Sequence, residues 1–283
     1  MMIENDRSWR RTLNVGDDEV CFHDVGTGPP LIMSQAFGPL PGTTAWLTYS
    51  RVLSALSAHF RCIVIDHPNF GRSSPKVFHE PFHDVCARNA FAIMDNLGIG
   101  VASHLGVSMG ATVAIDMALA QPDRVNKLVL GSCHASSGGD PYALSPFPSE
   151  GMRLWTENQG GGPDRDAIRR LLRALVFDPE HISEELVQEM YLLRLREPAH
   201  ADAMNASTPA PHSNLGDLHK IDVPTLIVHG RHDRLVPVEQ ALLLTGYLTT
   251  ADLVILNRCG HWPPFERPDA YLATVLPFLL APT

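Results

Sequence analysis

The stretch Gly106-Val107-Ser108-Met109-Gly110 constrains this chain more than any other. The run from Ser103 to Ser108 leads into it, and Ala111-Thr112-Val113-Ala114-Ile115 follows at helical spacing. The pattern fits a strand that ends in a sharp turn and passes at once into a helix, with the serine at the apex. Such a turn presses backbone against backbone, so small residues are needed on both sides of the serine, and Gly106 and Gly110 supply them. The geometry would lift the Ser108 hydroxyl above a sheet edge, beside the first N–H groups of a helix. Those groups have no intrahelical acceptor and can hold a developing negative charge. A lone serine in a glycine turn would be unremarked; the flanks carry the reading. They also set the search, because a nucleophilic serine needs a base, an acid and a second N–H donor.

Short apolar runs alternate with helical stretches around this turn. Ser8 to Val15 and Glu19 to Val25 predict two antiparallel strands joined at Gly16-Asp17-Asp18. Leu31 to Ala36, Cys62 to Asp66, Val125 to Gly131, Pro224 to Gly230 and Ala251 to Leu256 predict buried strands. Helices are expected over Ala45–His59, Val85–Leu97, Val238–Tyr247 and Asp269–Leu280. Between Cys133 and Leu218 the alternation stops, and three helical stretches appear at Gly151–Thr156, Asp164–Val176 and Ser183–Arg196. The chain therefore reads as an α/β core over residues 1–133 and 219–283, a mostly parallel sheet flanked by helices, with a helical lid inserted at 134–218.

Composition narrows the class of partner. A net charge of −9 and the lack of a basic run argue against nucleic acid or an anionic membrane surface. The polar start, Met1 to Arg11, shows no signal peptide, and no apolar run is long enough to cross a membrane. Five scattered cysteines in mostly apolar surroundings predict reduced thiols in a cytoplasmic protein. His229 and His232 lie three apart, but nothing nearby in the sequence completes a zinc set, so no metal and no cofactor is expected.

The remaining catalytic groups follow the last two strands. Gly230-Arg231-His232-Asp233 places an aspartate just past one strand, and Cys259-Gly260-His261-Trp262 places a histidine just past the next. Open parallel sheets put their sites at these carboxyl ends. Among fourteen histidines, His261 is set apart by its place and by the order Ser108, Asp233, His261. His261 would take the Ser108 proton, and Asp233 would fix the imidazole tautomer and stabilise the imidazolium.

These residues resemble the α/β-hydrolase superfamily from about Val20 onward. Within it the chain is similar to the meta-cleavage product hydrolases, which cut a carbon–carbon bond in ring-fission dienones. Three segments carry that likeness: Asp66-His67-Pro68-Asn69-Phe70-Gly71-Arg72-Ser73, Ile182-Ser183-Glu184-Glu185-Leu186 and Arg258-Cys259-Gly260-His261-Trp262. The resemblance implies a small-molecule substrate and a homodimer or larger assembly. There are departures. Val107 stands where that family has an asparagine, and Met190 falls at its lid arginine, with Arg194 or Arg196 a turn or more further on and expected to point partly elsewhere. Ser34-Gln35-Ala36-Phe37 replaces the usual His-Gly loop, so the oxyanion donors expected are the N–H groups of Met109 and of Ala36 or Phe37. Val107, Met190, Trp262, Trp155 and Phe147 are the side chains expected around the substrate, the aromatic ones weighed against ordinary packing.

The reading is a serine-dependent hydrolase of a small apolar carbonyl compound. Carbon–carbon hydrolysis of a dienone or β-diketone stands first, favoured by the lid segment. Ester or lactone hydrolysis is the alternative, favoured by Val107 and Met190, whose apolar side chains suit a substrate without a carboxylate. A cofactor-free oxidoreductase on the same fold and a non-catalytic binder are the other classes considered.

Overall fold

The structure is a computed structural model that describes residues 8–36, 43–134, 149–158, 163–208 and 211–282, without the side chains of Trp155 and Thr156. Eight strands form one sheet in the order β1-β2-β4-β3-β5-β6-β7-β8. They are β1 (Arg10–Val15), β2 (Asp18–Val25), β3 (Pro30–Ser34), β4 (Arg61–Asp66), β5 (Ala102–Val107), β6 (Val125–Gly131), β7 (Thr225–Gly230) and β8 (Ala251–Leu256). The first two are antiparallel to each other, β2 is antiparallel to β4, and every later pairing is parallel. Strands β5 and β7 are buried throughout, as parallel strands covered on both faces must be, whereas the outer β1 and β8 alternate.

Alternation along the inner strands divides the apolar side chains between the faces. Leu31, Met33, Leu105, Val107 and Val228 join one buried cluster; Ile32, Ile63 and Ile65 join a second, and Leu128, Leu130 and Ile227 a third. The second cluster includes residues of α3 (Phe82–Asn96) and α4 (Met109–Ala120). The third draws on α4 again and on α9 (Val238–Tyr247). The first is covered by α1 (Ala45–Tyr49), α2 (Leu53–Ser57), α10 (Pro263–Glu266) and α11 (Pro268–Leu280), and also by the segment between β6 and β7.

That segment is helical where described: α5 (Glu150–Glu157), α6 (Arg165–Leu175), α7 (Glu184–Arg196) and α8 (Pro198–Ala206). Leu154, Leu171, Val187 and Met190 from it share the first cluster with the sheet. Good caps fix these helices. Asp164 accepts from the N–H groups of Asp166 and Ala167, and Ser183 from that of Leu186.

Two expectations need correction. The single helix over Ala45–His59 is two short ones. The Tyr49 hydroxyl donates to the Ser34 carbonyl at 2.6 Å, and Val52 N–H closes a tight turn on the Tyr49 carbonyl. A three-residue turn does not disturb the apolar spacing, so the pattern could not reveal it. Helices α8 and α10 were not expected; Pro198, Pro263 and Pro264 stand in their first turns, where a missing N–H costs nothing.

Candidate active site

Strand order reverses at β3, with β4 on one side and β5 on the other, and open sheets form a crevice beyond the carboxyl ends at such a point. Ser108 sits there. Its φ of 55° and ψ of −121° are strained for any residue with a side chain, and its N–H donates to the Gly131 carbonyl at 2.7 Å. A side chain at Gly106 would overlap the Gly110 carbonyl, and one at Gly110 would come within 2.5 Å of the Gln35 carbonyl. Both glycines are demanded by close approach. The Ser108 residue is 9 % exposed, and α4 begins at Met109, so the first free N–H groups of that helix lie beside it.

Asp233 and His261 are hydrogen-bonded, Nδ1 to Oδ2, at 2.8 Å, and both side chains are buried. The other Asp233 oxygen accepts from the N–H groups of Leu235 and Val236 at 2.8 and 2.9 Å. His229, beneath them, donates from Nε2 to the Val236 carbonyl, and burial holds its pKa below the ordinary value. The carboxylate is thus fixed by backbone N–H groups on one oxygen, and its other oxygen meets His261 Nδ1 at 2.8 Å with His229 Nε2 at 3.4 Å.

A second carboxylate braces the histidine loop. Glu266, 4 % exposed at the end of α10, accepts from the N–H groups of Gly260, Trp262 and Phe177 at 2.7 to 3.1 Å. Two of those donors flank His261; the third follows α6. Burial pushes the Glu266 carboxyl above its usual range, with the three N–H donors opposing. The His261 N–H itself donates to the Leu175 carbonyl at 2.6 Å, and the Gly151 N–H donates to the Arg234 carbonyl at 2.9 Å. The helices between β6 and β7 are therefore tied directly to the loops that carry His261 and Asp233.

On α7, Met190 is fully buried in the cluster that holds Val107 and Trp262. One turn on, Arg194 is 5 % exposed. Its Nη2 donates to the Asn158 carbonyl at 3.2 Å, while Nε and Nη1 are buried without a hydrogen-bond partner, as is Asn158 Oδ1. Burial lowers the Arg194 pKa. Arg196 is exposed. A spacing of four residues returns to the same helix face, which is why Arg194 turns inward beside Met190, against the expectation from sequence.

Comparison with known proteins decides the family. The family described as alpha/beta hydrolase fold matches residues 38–268. The chain belongs to it. A 2-hydroxy-6-oxononadienedioate/2-hydroxy-6-oxononatrienedioate hydrolase of Burkholderia vietnamiensis is 32% identical over 98% of both chains. Another from Pseudomonas putida is 33% identical over 93% of this chain and 92% of its own. A mutant of the meta-cleavage product hydrolase CumD from Pseudomonas fluorescens IP01, complexed with acetates, superposes with a TM-score of 0.79 at 26% identity, covering 95% of this chain and 96% of its own. A thermophilic esterase from Thermogutta terrifontis shares the fold, with a TM-score of 0.75 at 23% identity over 95% and 97%. The chain is a hydrolase of the α/β hydrolase fold, similar end to end to 2-hydroxy-6-oxononadienedioate hydrolases, and no helix among the described residues is long and apolar enough to cross a membrane.

Ser108, Asp233 and His261 all follow carboxyl ends of parallel strands. The Ala36 N–H is engaged by the Thr48 hydroxyl at 3.2 Å, whereas Met109 opens α4. Trp262 is buried, donates its indole N–H to the Thr48 carbonyl at 3.1 Å and stacks on Phe265. Its indole N–H is thus engaged within the core. Phe37, Phe147 and the Trp155 side chain lie outside the described residues. Sequence reasoning missed Glu266, Gln35 and the burial of Arg194. Gln35, whose backbone carbonyl abuts the serine turn, accepts the His67 N–H through Oε1 and leaves its own amide nitrogen buried and unpartnered. These Glu266 and Gln35 hydrogen bonds run to backbone N–H groups, which leave no motif.

Proposed function

We propose that this hydrolase cleaves a carbon–carbon bond next to a ketone in a small conjugated dienone bearing a carboxylate, with Ser108, His261 and Asp233 as its catalytic residues. The observation that carries the substrate class is Arg194, buried on α7 with two nitrogens left to donate. His261 accepts the Ser108 proton through Nε2 while Nδ1 stays on Asp233, so the hydroxyl attacks the ketone or activates water against it. Charge then gathers on the carbonyl oxygen, where the N–H groups of Met109 and Phe37 are assigned as donors. Breaking the carbon–carbon bond expels a carbanion, which leaves only if conjugated double bonds carry its charge to a distant oxygen. A desolvated guanidinium at that far end stabilises the charge, and a charge-assisted hydrogen bond there contributes about 1.5–3 kcal/mol. An ester has an alkoxide leaving group and does not need this help.

The names of the relatives as dienedioate hydrolases support the same class. The cation missing at Met190 is supplied one turn away, so the apolar residue there does not exclude a carboxylate. The helices of residues 134–218 serve as the lid, and their bonds to the His261 and Asp233 loops support that role. The five buried cysteines, none of them in a disulfide, support a cytoplasmic setting, and the assembly is taken as a homodimer or larger.

The deciding experiment is a paired turnover assay on wild type, Ser108→Ala and Arg194→Met. One arm follows loss of a ring-fission dienone carrying a terminal carboxylate; the other follows a short p-nitrophenyl ester. Rapid dienone loss that needs Ser108, and falls roughly 10- to 100-fold in kcat/KM without Arg194 while ester turnover holds, is the expected result. Ester turnover with an untouched dienone would replace this reading with the esterase one, which the buried apolar Val107 and Met190 favour.

A further inference from the structure

Eight residues along α4 from Ser108, about 12 Å by helical rise, stands Asp116, 7 % exposed. Three segments meet there: α4, the first turn of α3 with His83, and residues 211–214, where the chain returns from the helical insertion toward β7. His212 Nε2 lies 3.0 Å from one Asp116 oxygen, and Asn214 donates its amide to the other at 3.0 Å. The His83 and His212 rings have centroids 4.6 Å apart, and His83 Nδ1 is shut from solvent without a hydrogen-bond partner. One donor atom each from His83, Asp116 and His212 falls within 4.8 Å of the others.

We propose that His83, Asp116 and His212 form a binding site for a borderline divalent transition metal, Zn2+ being the probe of choice. Two imidazoles and one carboxylate suit Zn2+, Co2+ or Ni2+, whereas Mg2+ and Ca2+ prefer oxygen ligands. Tetrahedral Zn2+ with ligands at about 2.0–2.1 Å separates its donors by about 3.3 Å. The His212–Asp116 pair, at 3.0 Å, already stands close to that spacing, and His83 has at most about 1.5 Å to close. Asn214 holds the carboxylate from behind, the kind of support metal-ligating carboxylates use. A groove of about 370 Å3 opens onto the cluster and is lined by Asp84, Asp116, Asp217, His212 and Asn214, so the way in is acidic and favours a cation. Water or a small ligand reaching through this groove would complete the coordination.

The site is separate from Ser108, Asp233 and His261, and its consequence is mechanical. The returning segment is already bonded to the loop before α3, through Phe78 N–H to the Ser207 hydroxyl and Thr208 N–H to the Phe78 carbonyl. A bound metal would pin residues 211–214 to both α3 and α4, and so fix the C-terminal root of the insertion. Metal binding to the folded chain alone also raises its stability by mass action.

The test is metal loading of chelator-stripped full-length protein by equilibrium dialysis against micromolar Zn2+, with metal counted by mass spectrometry. Wild type is compared with His83→Gln, His212→Gln, Asp116→Asn and, as a control for the other histidines, His79→Gln. Circular dichroism and metal-free melting establish that each variant is folded. The expected result is one Zn2+ per chain in wild type and His79→Gln, at least a tenfold loss of affinity in the other three, no retention of Mg2+, and a Zn2+-dependent rise in Tm of a few degrees in wild type and His79→Gln only. Equal loading in all five proteins, or none in wild type, would overturn the proposal in favour of a plain His212–Asp116 ion pair.

Discussion

Ser108 shows at the scale of one residue how the backbone prepares the chemistry. It holds a φ of 55° because Gly106 and Gly110 let neighbouring backbone close in around it. Gly110→Ala puts a methyl group against the Ser34 and Gln35 carbonyls, which belong to a buried strand end and cannot withdraw. We expect it to cost about 2–4 kcal/mol in denaturant unfolding and to remove activity in whatever protein stays folded. Asp233→Asn tests a different property. The asparagine keeps the shape but presents an amide to His261 Nδ1, favouring the wrong tautomer, and kcat should fall about 10⁴-fold with little change in KM. The placement of Ser108, Asp233 and His261 was legible in the sequence because each follows an apolar run that forms a strand. Arg194 was not, since four residues of helix decide its direction and no motif marks it.

The elements matter through their ends. His261 stands in a loop with no regular structure, and the Glu266 carboxylate gives that loop its shape by accepting N–H groups on both sides of the histidine and one from the end of α6. Glu266→Gln leaves one oxygen for three donors. We expect kcat to drop tenfold or more with KM nearly unchanged, since the group positions His261 and leaves the substrate alone. Stability should respond to pH with a definite sign. The folded pKa is raised above the usual 4.5, chiefly by burial, so the favourable contribution is complete below 4.5 and is lost as pH rises through the higher folded value. The difference in Tm between wild type and Glu266→Gln should therefore shrink as pH climbs out of the acid range, and a difference that grew instead would contradict the raised pKa. Element boundaries were legible where the apolar run and the element coincide end to end, as in β6, β8 and α9. They were not where a hydroxyl broke α1 from α2 or a proline began α8 and α10, because neither event changes the spacing of apolar residues.

At the scale of the molecule, the sheet and the helical insertion share one buried cluster. Met190, Leu171 and Val187 from the insertion sit in it with Val107, Leu105 and Val228 from the strands. Sequence could mark the insertion by its change of period, but not this continuity, which depends on which faces meet. The same close packing shelters the thiols. All five cysteines are buried, and burial pushes Cys62 and Cys133 up to about 12. Ellman's reagent at pH 8 should find essentially no reactive thiol in the native protein and all five after denaturation. A shared core also sets how the protein comes apart. An insertion with its own core would melt on its own; one that fills the core of the sheet must unfold with it. Met190→Ala removes most of a fully buried side chain at that junction and should cost about 2–5 kcal/mol. For a chain of this length that lowers Tm on the order of 5–15 °C. Calorimetry should show one shifted transition, whereas a new early transition with the main peak unmoved would mean that the insertion unfolds independently and that its contacts with the His261 and Asp233 loops are readily broken.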